Sequence, residues 1–332
     1  MNMVISGTGS AVPKLLVTND DLGRLMDTSD AWIQSRTGIR NRRLAVEETT
    51  TGLAVGASLE ALADAGIAAE DLDLILAATV TPDQFLPNLA CEVQGALGAS
   101  GAVAFDVNAA CSGFLFALDT AALYLKNLCE RTPDGADRTA LVIGAETLSK
   151  IMDWNDRSTC VLFGDGAGAA VLRAQPSGSE KRGIRGMVQR SDGARGGVLS
   201  CRNRPVNHPY AKRQEPPAYV SMDGQEVYRF AVRTVPETIR EAVDQAGFSM
   251  DDIDLFLLHQ ANLRILESVA KRLKQPMEKF PVNLDEYGNT SAASVPILLD
   301  DVRKQGKIKE GSRIVLAGFG AGLTCGATVL VW

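Results

Sequence analysis

Two rhythms of apolar residues run along the chain. Short continuous runs, "VAFDV" (residues 103–107), "ALVIGAE" (140–146), "DLFLL" (254–258) and "IVLAGFG" (314–320), have the length and β-branched content of buried strands. Longer stretches follow a helical period. "LRILESVAKRLKQ" (263–275) carries an apolar stripe at Leu266, Val269, Ala270 and Leu273, with Arg264, Lys271, Arg272 and Lys274 on other faces. "FLFALDTAALYLKNL" (114–128) is apolar nearly all round up to Asp119, as befits a helix in a protein core. The N-terminal "MNMVISGTGSAVPK" reads as a strand followed by a Gly/Pro turn and not as a signal peptide. Strands that alternate with helices predict an α/β architecture.

The pattern occurs twice. "EALADAGIAAEDLDLIL" (60–76) aligns without gaps to "EAVDQAGFSMDDIDLFL" (241–257), with about half the positions identical. Each reads as a helix end, a glycine stop at Gly66 or Gly247, an acidic turn and an apolar strand. A looser echo links "ALVIGAE…GAGAAVLR" (140–173) to "IVLAGFGAGLTCGATVLV" (314–331), each a strand, a glycine turn and a strand. The chain is therefore expected to hold two related halves, residues 1–175 and 176–332, packed as one unit and joined near the polar "AQPSGSEKRG" (174–183).

Composition narrows the function. The 332 residues are 45% hydrophobic and 22% charged, as in an ordinary globular enzyme, and the net charge of −6 argues against bulk nucleic-acid binding. No apolar run is long enough to span a membrane. The six cysteines are scattered without a C-x-x-C pair, which disfavours a zinc site or a disulfide framework and points to a cytoplasmic protein with reduced thiols.

Among those cysteines, Cys111 in "DVNAACSGFLFAL" stands out because a strand leads into it and a core helix leaves it. Unpaired N–H groups and the helix dipole at that point favour a thiolate and can hold an oxyanion. Only two histidines exist. His208 lies in a polar stretch, whereas His259 in "DLFLLHQAN" ends an apolar strand, where sites of α/β sheets collect. Asn289, in "YGNTSAASVPILL", precedes an apolar helix; alone it would be a turn or cap residue. Together, a thiol and two neutral donors suit carbon–carbon bond formation by decarboxylation. The thiol takes an acyl group from a thioester, and the donors stabilise the enolate formed as carbon dioxide leaves. No metal or bound cofactor is needed for this.

"NAACSGFLFAL", "LLHQANLRI", "YGNTSAAS" and "GFGAGLTCGA", together with "TSDAWIQSRTGIRNRR" (28–43), "FGDGAGAAVL" (163–172) and "SMDGQEVYRFAV" (221–232), resemble the β-ketoacyl-acyl carrier protein synthase III family in order along nearly the whole chain. The resemblance implies a thiolase-type fold of two similar α-β-α-β-α halves in a five-layered domain, and a homodimer. It makes Cys111 the acyl-accepting nucleophile and His259 and Asn289 the decarboxylation donors. Backbone N–H groups of Cys111 and of the turn at Ala321 would form the oxyanion hole. Acyl-CoA is then a substrate, held by Trp32 and Arg157 around its adenine and by Thr28, Arg36 and Asn262. Arg229, Arg264, Lys271 and Arg272 would dock the acidic acyl carrier protein that brings the malonyl group. Leu86 falls where some members have a Phe that reaches the partner subunit's acyl pocket, so a longer or branched starter is implied. Cys325 stands where the family often has Trp.

Rival readings remain at this stage. Thiolases carry a second cysteine before a C-terminal glycine run, whereas Cys325 follows it. Hydroxymethylglutaryl-CoA synthases need a general-base Glu that no motif here supplies. Specialised relatives make quinolone or polyketide starters, or transfer acyl groups to oxygen or nitrogen, and some keep the same three residues. A nucleotide-binding protein would use the glycine-rich stretches as phosphate loops, but neither clearly opens a helix. A non-catalytic acyl-binding protein would have no need of Cys111, His259 and Asn289 together.

Overall fold

A computed structural model describes residues 1–131, 137–176, 182–206, 208–211 and 218–332. Half of the expected join between the halves, residues 177–181, lies outside them. Two mixed sheets organise the chain. In the first, Asn2–Ala11, Gly166–Gln175, Arg138–Glu146, Leu74–Ala78 and Val103–Val107 lie side by side in that order; the first two pairings are antiparallel and the last two parallel. In the second the order is Gly183–Ser191, Thr324–Val331, Arg313–Gly320 and Leu255–Leu258, antiparallel, antiparallel and parallel. The two orders match except for the outer parallel strand of the first sheet. The stretch at its place in chain order, residues 280–283, contains Pro281, which has no N–H to give a ladder.

The duplicated segments fold alike, residue for residue. The Thr50–Ala65 and Gly224–Ala246 helices both stop at a left-handed glycine, Gly66 (φ 63°) and Gly247 (φ 73°). Short 3₁₀ turns, Ala69–Asp71 and Met250–Asp252, then lead into strands beginning at Leu74 and Leu255. The looser echo holds only in part. A three-residue turn joins the two strands of the second half, but in the first half residues 147–165 intervene, including the 3₁₀ helix Leu148–Ile151.

Strand alternation distributes the apolar residues among three cores. Leu74, Leu76, Ala140, Val142, Ile314 and Leu316 face a central layer made by the Gly113–Arg131 and Ser294–Lys304 helices. Ile75, Ala77, Leu141 and Ile143 face the opposite way, toward the Thr50–Ala65 and Leu89–Leu97 helices. Val315, Ala317 and Phe319 face the Gly224–Ala246 and Leu263–Leu273 helices. The result is the five-layered thiolase-type order: helices, sheet, helices, sheet, helices. The central Gly113–Arg131 helix is buried all round only in its first half; further along, Leu123 is 62% exposed, because the helix emerges from between the sheets.

Backbone meets backbone where the halves join. A Cβ on Gly144 would lie 2.2 Å from the Ala292 carbonyl oxygen of the turn that follows Asn289. Gly144→Ala is therefore expected to cost about 2 kcal/mol by overpacking, read as a lower denaturant midpoint. Gly101→Ala, whose Cβ would meet nothing within 4 Å, should stay within about 0.5 kcal/mol of wild type.

Candidate active site

The Val103–Val107 strand delivers the chain to a 3₁₀ turn, Ala110–Ser112, that heads the Gly113–Arg131 helix. Ala110 takes a left-handed conformation (φ 46°), which bends the chain so that Cys111 stands at the helix start. Two glycines of the Arg313–Gly320 strand make room for it. A Cβ on Gly320 would lie 2.7 Å from the Cys111 nitrogen; one on Gly318 would lie 3.4 Å from the Cys111 carbonyl oxygen and 3.7 Å from His259 Cβ. Cys111 and His259 are thus neighbours of the same glycine. The Ala321 turn is fixed over Cys111 by Thr324, whose hydroxyl lies 3.2 Å from the Ala109 carbonyl and 3.1 Å from the Ser112 hydroxyl.

His259 follows the Leu255–Leu258 strand and extends its parallel ladder by donating its N–H to the Ala317 carbonyl (2.8 Å). Its ring is buried, packs edge-on against Phe319 (5.3 Å), and leaves Nδ1 buried without a partner among the described residues. Burial pushes its pKa down to about 3, so the ring is neutral. Asn289 pairs through its backbone with Leu162 and Gly164, at 2.8 and 3.0 Å. Its Oδ1 accepts the Ser291 N–H (2.9 Å). That bond fixes which way the amide faces and leaves the Asn289 NH₂ as a donor.

The thiol corrects one expectation. The helix start was expected to favour a thiolate, but burial pushes Cys111 up to about 12; Ser291 and its own N–H pull the other way, and the charge of nearby Glu146 adds to the rise. Desolvation outweighs the helix dipole because Cys111 is enclosed, with 8% exposure.

Cys111 borders a cavity of about 830 Å³, mostly apolar, walled by Val80, Leu148, Ile151, Phe163 and Val220. Residues 199–204 shape its entrance, as does Phe85, over whose ring the Arg204 guanidinium sits at 5.1 Å. His259 and Asn289 do not line this cavity; Ser291, bonded to Asn289, does. Leu86 does not line it either: it is 85% exposed. Cys325 is fully buried, its thiol 3.5 Å from the Thr238 hydroxyl on the outer helix, so it points away from the cavity.

At the surface, Trp32 is half-buried on the Asp30–Thr37 helix, with the Arg36 and Arg157 guanidinium groups 5.0 and 5.3 Å from its ring. Arg157 is also tied to Asp27. Asn262 caps the Leu263–Leu273 helix by accepting the Arg264 N–H (2.9 Å), and its amide donates to the Arg36 carbonyl (3.0 Å). Thr28 Oγ1 is buried without a partner among the described residues. The predicted apolar stripe of this helix is buried and gains Ile265; Arg264, Lys271 and Arg272 are exposed, Arg264 reaching the Ser35 carbonyl (2.6 Å). Arg229, on the neighbouring helix, is exposed and paired with Glu226.

Sequence reasoning overlooked Glu146 and Ser291. Glu146 ends an apolar strand, the same signal that singled out His259, and it is fully buried beside Ser291. The glycine-rich stretches open strands, Gly166–Gln175 and Thr324–Val331, rather than helices, which removes the phosphate-loop reading. Among the described residues no cluster could hold a metal ion, and no helix is long and apolar enough to cross a membrane.

Known proteins are similar to this chain along its whole length. The family model described as 3-oxoacyl-[acyl-carrier-protein] synthase III matches residues 105–193, and the model for its C-terminal part matches residues 243–332. The β-ketoacyl-[acyl-carrier-protein] synthase III of Clostridium acetobutylicum is 46% identical, covering 100% of this chain and 99% of its own. That of Clostridium novyi is 45% identical with the same coverage. Of solved structures, 3-oxoacyl-[acyl-carrier-protein] synthase III from Aquifex aeolicus VF5 is 44% identical with a TM-score of 0.90, over 99% of this chain and 100% of that one. The priming β-ketosynthase of the R1128 polyketide pathway is 36% identical with a TM-score of 0.89, over 99% and 96%. With full-length likeness on this scale, and Cys111, His259 and Asn289 all buried close to the join of the two halves, the chain belongs to the β-ketoacyl-[acyl-carrier-protein] synthase III family.

Proposed function

We propose that the protein condenses an acyl-CoA starter with malonyl-acyl carrier protein, with loss of carbon dioxide, to give 3-oxoacyl-acyl carrier protein and so begin fatty acid synthesis. The observation that carries this reading is the pair of neutral donors beside a cysteine: His259, uncharged through burial, and Asn289, its amide oriented by Ser291.

In the first half-reaction the Cys111 sulfur attacks the acyl-CoA carbonyl. The oxyanion is held by the N–H groups of Cys111 and Ala321. Collapse expels coenzyme A, which leaves carrying the proton that Cys111 loses, so the high thiol pKa is met by transfer during the reaction and not by a resting thiolate. Malonyl-acyl carrier protein then enters. His259 Nε2–H and the Asn289 amide donate to its thioester carbonyl, carbon dioxide departs, and the enolate attacks the acyl-Cys111 carbonyl, releasing the 3-oxoacyl product and the Cys111 sulfur, which takes up one proton from solvent to return to the thiol. A carboxylate among the donors would repel the developing charge; two neutral groups do not.

The remaining parts take supporting roles in this reading. Coenzyme A reaches the site past Trp32, displacing Arg157 from the ring so that the adenine stacks between them, while Arg36 meets phosphate, Thr28 Oγ1 gains a partner and Asn262 adds a further contact. Carrier protein docks on Arg264, Lys271, Arg272 and Arg229. A second copy of the chain is the partner subunit: the Val103–Val107 strand is a sheet edge with Val103 47% exposed, and Phe85 and Leu86 form an apolar tip, 59% and 85% exposed, suited to reach across. The reaction takes place in the cytoplasm and needs no cofactor. Likeness to a polyketide priming synthase favours, as a second reading, a starter unit made for a specialised product.

Condensation measured by mass spectrometry of the carrier protein tests the first reading. Wild type is expected to convert malonyl-acyl carrier protein to the 3-oxoacyl form in the presence of acyl-CoA. His259→Ala and Asn289→Ala should lose about 100-fold or more in this product while still accepting the acyl group. Equal loss of both half-reactions would contradict the donor assignment. The His259 pKa adds a stability test. Its folded value lies below the unfolded one of about 6.5, so its contribution is intact above that pH and is lost as the unfolded state takes up a proton on acidification. Wild type should lose stability relative to His259→Ala by about 2 kcal/mol between pH 6.5 and 5; parallel denaturation profiles would contradict the buried neutral ring.

A further inference from the structure

The carboxyl group of Glu146 is fully buried and, among the described residues, is met by donors and paired with no cation. Its Oε2 accepts from the Thr81 hydroxyl (2.5 Å), the Val80 N–H (3.1 Å) and the Thr79 hydroxyl (3.3 Å). Its Oε1 accepts from the Ser291 hydroxyl (3.0 Å). Three bonds thus clamp one oxygen to the segment after the Leu74–Ala78 strand, and the other oxygen is offered to a single residue of the opposite half.

That residue is in an uncommon conformation. Ser291 has φ 50°, in the left-handed region that costs a side-chain-bearing residue free energy unless its surroundings hold it there. The bend aims the Ser291 N–H at Asn289 Oδ1 (2.9 Å). An asparagine amide can present either end to a ligand. With Oδ1 engaged from behind, only the NH₂ remains for a substrate carbonyl; reversed, the side chain would turn an oxygen toward the enolate and oppose its formation.

We propose that Glu146 is a positioning residue for the decarboxylating step: through Ser291 it holds the turn that keeps the Asn289 amide with its NH₂ toward the malonyl thioester. The proposal rests on the reading of Asn289 as a decarboxylation donor. Glu146 does not touch the reacting atoms. Its effect runs through Ser291 and Asn289, so it falls mainly on condensation, with a smaller effect on transfer of the acyl group to Cys111. Neither Glu146 nor Ser291 was singled out in the sequence, and both lie in the stretches "ALVIGAE" and "YGNTSAAS".

The test separates the half-reactions in Glu146→Ala, Ser291→Ala and Glu146→Gln. Glutamine keeps an oxygen for Thr81 and Val80 and turns an NH₂ to the Ser291 hydroxyl, so the tie survives with reversed polarity. Glu146→Ala and Ser291→Ala are expected to lose about 10- to 100-fold in decarboxylating condensation, far more than they lose in uptake of the acyl group, with Glu146→Gln recovering most of it. In an Asn289→Ala background the same changes should add nothing. Crystal structures of the Ser291→Ala and Glu146→Ala proteins should show residue 291 relaxed from φ 50° and the bond to Asn289 Oδ1 lost. Equal losses in both half-reactions, additive losses on Asn289→Ala, or an unchanged Asn289 turn in those crystals would overturn the proposal. A condensing wild type with unaffected variants would overturn this proposal alone. A wild type that takes no acyl group from any acyl-CoA would overturn the proposed function, and this proposal with it.

Discussion

The site exists because strands of the two sheets each meet a turn of the other half closely at glycines. Gly318 and Gly320 bring the second-half strand against the backbone of the Cys111 turn, and Gly144 brings the first-half strand against the turn after Asn289. Each half supplies what the other lacks. The first gives Cys111 and the Glu146 carboxyl; the second gives His259, Asn289 and the Ala321 turn. A Cβ at Gly144 or Gly320 would meet backbone of the other half at 2.2 or 2.7 Å and force the halves apart, so assembling the chemistry and packing the fold are one constraint.

Close approach of this kind also excludes water, and the electrostatics follow from that. Burial raises Cys111 to about 12 and Glu146 to about 7 and lowers His259 to about 3. Each shift disfavours charge. A site kept near neutral is suited to a reaction in which a negative charge is created and passed on, since the preorganised dipoles are not already spent on resident ions. Away from the site, the same economy governs Asp119, raised to about 7 on the central helix and bonded to Gln189 (2.8 Å) and Thr328 (3.1 Å) of the second sheet.

How much of this was legible in the sequence depended on whether the signal was local. The duplicated helix–glycine–turn–strand unit was readable because each of its cues, the αL glycine above all, acts within a few residues; both copies fold in the same register. Cys111 and His259 were singled out for the same reason: a side chain capable of chemistry at the end of an apolar run contradicts simple packing. Glu146 sent an identical signal and was passed over, because its partner Ser291 lies 145 residues away and no local pattern announces a bond of that range. The thiol pKa was misjudged because the helix start is visible in sequence, whereas enclosure by the second half is not. Leu86 and Arg229 were placed by resemblance, and their surroundings, an exposed tip and a pair with Glu226, came only from the fold.

The central claim is that Cys111, and no other of the six cysteines, carries the acyl group. Intact-protein mass after exposure to a panel of acyl-CoAs, followed by peptide mapping, tests it most directly. The account predicts one acyl group per chain, on the peptide holding Cys111 and absent from Cys111→Ala, with the best-labelling chain length naming the starter that fits the 830 Å³ cavity. An acyl group on Cys201, the exposed thiol at the cavity entrance, or no adduct with any acyl-CoA, would contradict it.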